Sequence, residues 1–158
     1  MALLSTVSFT GCGLKGGKSD TTVLSTDLPP APTWATALLG KPAPAAAPNA
    51  QCLGYADRVV ANYKGARSGV TLAGWSWDVD AHKPFSRIII VEPSGTVIGA
   101  GSAGGDPRPD VMAAKAGVVT TPQSGWIATA AVTSGAIKAF GLTDAGETCA
   151  IGGLKVTS

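Results

Sequence analysis

The stretch Gly74–Val111 limits what this chain can fold into more than any other. It grows out of an alternating segment, Gly69–Trp77. There Val70, Leu72 and Gly74 point one way and Thr71, Ala73, Trp75 and Trp77 the other. A polar loop, Asp78–Pro84, leads into Phe85–Val91 and its unbroken run Ile88-Ile-Ile-Val91. Alternation predicts a half-buried strand, and an unbroken run predicts a strand covered on both faces. Glu92-Pro-Ser-Gly95 has the composition of a turn, and Thr96–Ala100 returns as the second strand of a hairpin. After the Gly101–Pro109 loop, Asp110 occupies the N-cap position of one or two helical turns, Val111–Gly117, that end at glycine.

The same punctuation extends along the chain. Leu53–Asn62, Gly125–Val132, Ala136–Leu142 and Thr148–Val156 read as further short strands, the last at an edge. Six to eight short strands at regular spacing with one short helix predict a mainly β domain, an antiparallel β-sandwich, over residues 52–158. Residues 41–51 read as an extended Pro/Ala linker. Residues 1–40 form an irregular N-terminal arm with short strands at Leu3–Thr10 and Thr21–Ser25. Within the arm, Thr33–Gly40 has a helical look, with Thr33 as cap, Gly40 as stop, and Trp34 and Leu38 on one face. Gly11–Ser19 ends in Gly-Lys-Ser as a phosphate-binding loop does. The required first glycine falls on Cys12, and a strand follows where a helix is needed, so a turn is the better account.

Composition excludes several classes. Only 14% of residues are charged and the net charge is +2, with basic residues scattered, so nucleic acid is not an expected partner. No stretch approaches the roughly 18 apolar residues of a membrane span. A small residue precedes Cys12, as lipid attachment requires. The first eleven residues hold no Lys or Arg, and their apolar part is broken by Ser and Thr, so a plain strand is the simpler reading. Cys12, Cys52 and Cys149 show no zinc spacing, and neither a metal nor a cofactor is expected. Cys52 and Cys149 bracket the domain as a clasp would; a closed loop of that length stabilises by roughly 4–5 kcal/mol. Three reduced thiols are the other reading at this point. Cys12 is then free, lipidated or bridged elsewhere, and Met1 is either the natural start or a cut in a longer chain.

Few residues offer chemistry. Asp78, Asp80 and His82 alternate, so an extended segment would point all three to one side, yet the further oxygen ligands of a calcium loop are missing. Paired carboxylates here read as turn residues, and with one His and no nucleophile elbow no catalytic residue is expected. Trp75, Trp77 and Trp126 divide between core packing and stacking on sugar rings. Arg108 is expected to pair with Asp78 or Asp110.

Taken in order, Gly74-Trp-x-x-Asp78, Pro84, an apolar strand, Gly95, Val97-Ile-Gly99, Arg108-Pro-Asp-Val111 and Ser124-Gly-Trp126 resemble a known pattern. Cys52-x-Gly-Tyr-x-Asp57 and Cys149-x-Ile-Gly152 extend it at either end. The pattern is that of a small β-rich accessory module found in exported bacterial hydrolases and lytic proteins. It also forms the outward-facing end of envelope proteins related to glycosyltransferases. Trp126 departs from the usual Phe. The resemblance implies a non-catalytic β-sandwich, an extracellular, periplasmic or cell-surface location, and a Cys52–Cys149 disulfide. The leading expectation is an accessory domain that binds or packs against cell-envelope carbohydrate. Trp77 and Trp126 are its platforms, Asp80 and His82 its hydrogen-bonding groups, and Trp75, Asp78, Arg108 and Asp110 its scaffold. The alternative is an assembly protein of a virion or cell surface. It would dock on a protein partner or a second copy through residues 1–40, with Trp34 and Leu38 as anchors.

Overall fold

The computed structural model describes residues 21–157. The expected strand Leu3–Thr10, the Gly11–Ser19 loop and Cys12 lie outside them. The described chain is mainly β, as the turn-punctuated alternation predicts. Its strands are β1 (Thr22–Leu24), β2 (Cys52–Tyr63), β3 (Gly69–Asp78), β4 (Arg87–Val91), β5 (Val97–Ala103), β6 (Gly125–Ala130), β7 (Gly135–Leu142) and β8 (Thr148–Val156). A six-residue helix, α1 (Pro109–Ala114), interrupts them between β5 and β6. The helix begins two residues earlier than expected: Arg108 is its N-cap, Pro109 fills the first turn, and Asp110 lies inside it. Gly117, at φ 82°, ends the turns that follow.

Hydrogen bonds run through one continuous sheet in the order β1-β2-β3-β6-β5-β4-β7-β8. The meander β4-β5-β6 is inserted between β3 and β7, and only the short β1–β2 pair is parallel. The expected sandwich is therefore two halves of a single rolled sheet. Rolling brings β8 against β2, and the two run in the same direction. The Cys52–Cys149 disulfide spans this seam. Gly54 and Gly152 let the strands approach. A Cβ at Gly54 would lie 2.6 Å from the Ile151 Cβ, and one at Gly152 would lie 3.1 Å from the Tyr55 Cα. Gly152 also has φ 122°, which any side chain would resist.

Inside the roll, Val70 and Leu72 of β3 meet Ile88 and Ile90 of β4, Trp126 and Ala128 of β6, Ile137 of β7 and Ile151 of β8. Ile89 and Val91 point the other way, and the unbroken run is covered on both faces as expected. Their outer cover is the chain's own residues 28–47. Trp34, Leu38, Leu39 and Ala43 pack on Ile89, Val91, Val97 and Leu142. This belt is pinned by backbone bonds. The Gly40 N–H donates to the Val97 carbonyl (2.9 Å), Val97 N–H to Lys41 (2.9 Å), Ala43 N–H to Gly95 (2.9 Å), and Ala47 N–H to Thr148 (2.9 Å). The helical look of Thr33–Gly40 is realised as one 3-10 turn, Thr33–Ala35, followed by bends. Pro32 rather than Thr33 is its N-cap, and no side chain caps it.

Candidate functional site

Trp77 and Trp126, expected as stacking platforms, are buried: 1% and 0% of their surfaces are exposed. The reasons differ. Trp126 points into the roll, where Gly74 lies opposite it in the ladder. The absent Gly74 side chain makes the room, since a Cβ there would fall 2.5 Å from the indole Cζ2. Its ring N–H donates to the Trp75 carbonyl at 3.0 Å, so the polar edge is satisfied indoors. Trp77 lies on the outer face, where Val111 of α1 and Val119 cover it together with Leu53 and Val79. Neither indole offers a face to a ligand. The Asp78–Lys83 turn likewise uses its polar groups on itself. Asp78 Oδ1 accepts the N–H groups of Asp80 and Ala81 (3.1 Å each), and Asp80 Oδ2 accepts that of Gln51 (3.1 Å). His82 is exposed at φ 53°, away from any cluster of candidate ligands. Among the described residues no group of three His, Cys, Asp or Glu side chains is placed to hold a metal ion.

The exposed aromatic is instead Tyr55, 57% accessible on β2. It stands directly across the ladder from half-buried Trp75. Side chains so placed have Cβ atoms about 5 Å apart. Sequence reasoning assigned Trp75 to the scaffold and passed over Tyr55 as one strand residue among others. The sequence carried little signal for it: the same-face neighbours of Tyr55 on its strand are Leu53 and Asp57, and its exposure depends on what lies beside it across the seam. On the seam side lie the exposed Gly152 and Gly153, which leave the phenol uncovered.

A polar clasp adjoins this pair. Arg108, at the start of α1, donates to both Asp110 oxygens (3.0 and 2.8 Å) and to Asp57, two residues beyond Tyr55. The guanidinium holds the Asp110 carboxyl down to about 2, and the two carboxylates together hold Arg108 firmly protonated. Of the two partners expected for Arg108, Asp110 is one and Asp78 is not. Asp57 joins in because a bulge between Ala56 and Arg58 places it as the extra residue of its strand. The clasp ties α1 to β2, and so holds the cover over Trp77. Thus Cys52, Gly54, Tyr55, Asp57, Cys149, Ile151 and Gly152, far apart in sequence, converge on one corner of the seam.

Upward along the outer face from Trp75, β3 presents Ala73 and then Thr71. Two open hollows follow them. The lower, about 270 Å³, is lined by Arg58, Val60, Ala73, Ile127 and the Gly104–Pro107 loop. The upper, about 520 Å³, is floored by Thr71, Ser102, Ile127 and Thr129 and walled by Tyr63 and the belt prolines Pro29, Pro30 and Pro32.

No protein-family profile, curated protein or solved structure matches the chain. Among the described residues no helix is long and apolar enough to cross a membrane.

Proposed function

We propose that this chain is an exported, non-catalytic binding module for cell-envelope carbohydrate, with Tyr55 and Trp75 as its contact aromatics. One observation carries the reading: an exposed tyrosine stands opposite a half-exposed tryptophan on a sheet whose seam is covalently closed beneath them. A backbone tied this way needs little ordering on binding, which lowers the entropic cost. Hydroxyls of a sugar stacked there would meet Asp57 and Asp110, whose combined charge Arg108 offsets by half. The disulfide supports an oxidising compartment, as does the resemblance to exported accessory modules. Affinity electrophoresis through gels containing a panel of envelope polysaccharides tests the reading. The chain should be retarded by at least one polymer and Tyr55→Ala should run free of it. Mobility unchanged in every gel would refute it.

The assembly reading keeps one specific support. Among the described residues β1 is an edge strand whose three residues are all exposed, Val23 at 65%, and such an edge invites strand addition. Trp34 and Leu38 no longer serve as anchors for a partner, because they pack on the chain's own sheet. Sedimentation of the full chain against a form lacking residues 1–24 tests it. An oligomer lost on truncation is the expected result, and a monomer in both refutes it.

A further inference from the structure

We infer that the ligand is a linear, uncharged glycan strand lying lengthwise along β3, bound by its interior and not by a chain end. The inference rests on the carbohydrate reading and extends it from two rings to a groove. Trp75, Ala73 and Thr71 share the outer face of β3, and each has an outward neighbour on β2 or β6. From Trp75, opposite Tyr55, to Gly69, opposite Tyr63, the groove runs six residues along β3, roughly 20 Å at about 3.3 Å per residue. That exceeds one stacked sugar ring several times over. An aromatic stands at each end: Tyr55 with Trp75 below, and Tyr63 above, its hydroxyl 3.0 Å from the Thr71 hydroxyl. Between them the floor is small or hydroxylated, with Ala73, Thr71, Ser102 and Thr129. Two larger apolar side chains, Val60 and Ile127, line both hollows, and Ile127 is 42% exposed.

Charge and closure set the class of ligand. Every charge on the lower half of the groove is engaged within the protein: Arg108 with Asp57 and Asp110, and Arg58 with Asp106 at 3.4 Å. Among the described residues this half of the groove offers a sulfated or uronic polymer no cation outside these pairs, and a carboxylate-bearing ligand would face Asp57 and Asp110. The Arg58–Asp106 pair joins β2 to the Gly104–Pro107 loop, and both residues line the lower hollow. It therefore stands across the groove above Ala73 and Ile127. Both partners are well exposed, so the pair is weak and screened by salt. A strand can lie beneath it once it parts. A branch or a bulky substituent at that point cannot.

The experiment compares a long linear neutral β-glucan, its short oligosaccharides and a branched neutral polymer, using the intact chain. Two plug variants, Ala73→Arg and Ile127→Lys, obstruct mid-groove while leaving Tyr55 and Trp75 in place. Melting temperatures show that each is folded. Polymer affinity should fall at least tenfold in both plugs and short-oligosaccharide affinity should change less than twofold. The branched polymer should bind at least tenfold more weakly than the linear one. If both folded plugs keep polymer affinity while Tyr55→Ala loses it, the groove is wrong and the two-ring site stands. If Tyr55→Ala also retains affinity, both readings fail. Retention of an anionic polymer over the neutral one overturns the inference, as does tight binding of a proline-rich peptide with no glycan retained.

Discussion

Opening the seam should be the most damaging mild change to this protein. β2 and β8 pack side by side but are not neighbours in the hydrogen-bonded sheet; what ties them is Cys52–Cys149 and the contact of Ile151 with Gly54. The two cysteines are 97 residues apart in sequence. Closing a loop of that size lowers the entropy of the unfolded chain by an amount worth about 4.7 kcal/mol at room temperature. For a chain of this length each kcal/mol moves the melting temperature by about 3 °C. The Cys52→Ala/Cys149→Ala variant should therefore melt about 14 °C below the oxidised protein, and the oxidised protein plus reductant should fall by a similar amount. Scanning calorimetry at matched pH reads both. A fall under about 4 °C, near 1 kcal/mol on the same scale, would show that the seam holds without its covalent tie, and the account of closure would be wrong.

Gly74→Ala should destabilise by about 3 kcal/mol or more, at or beyond the upper end of ordinary overpacking, because the new methyl meets the Tyr55 carbonyl and the Trp126 ring. A urea midpoint within about 1 kcal/mol of wild type would refute this. Trp34→Ala should loosen the belt, with faster hydrogen exchange at the Gly40 and Ala43 amides and little change at Ile90; equal exchange at all three would contradict the packing. Asp110, held near 2 against an ordinary value of 3.8, stabilises fully above 3.8, and that stability is lost as pH falls toward 2. Asp110→Asn should flatten the stability profile in that window alone. The effect should be small and should vanish in high salt, since the carboxylate is largely exposed.

The strands were legible because alternation and turn residues are local signals. Val70, Leu72 and Gly74 do share a face, and the run at Ile88–Val91 is buried on both sides. What covers the outer side of that run was not legible. Residues 28–47 are rich in Pro and Ala and carry no period beyond the short Thr33–Gly40 segment, and they lie on the sheet through backbone bonds to Val97, Gly95 and Thr148. Such bonds leave no mark on side-chain choice. The site failed for a related reason. Alternation placed Trp75 and Trp77 on one face without saying which part of that face is covered. The cover comes from Val111 and Val119, more than thirty residues away in the chain.

Coverage also bears on where the proposed ligand would meet this protein. A rolled sheet has one inside and a large outside, and an apolar outside must be covered or used. The belt covers β4, β5 and β7. The α1 segment covers the lower end of β3 over Trp77. Among the described residues, what remains open is the strip from Tyr55 and Trp75 to Tyr63, between the belt prolines and the Gly104–Pro107 loop. Ile127 lies exposed in the middle of that strip, although its two ladder neighbours, Ala73 and Ser102, are small enough to have let a larger cover settle there. Residues at 73, 102 and 129 that keep the floor low, beside rings at both ends, are better suited to receive a long flat ligand than to pack another part of the same chain.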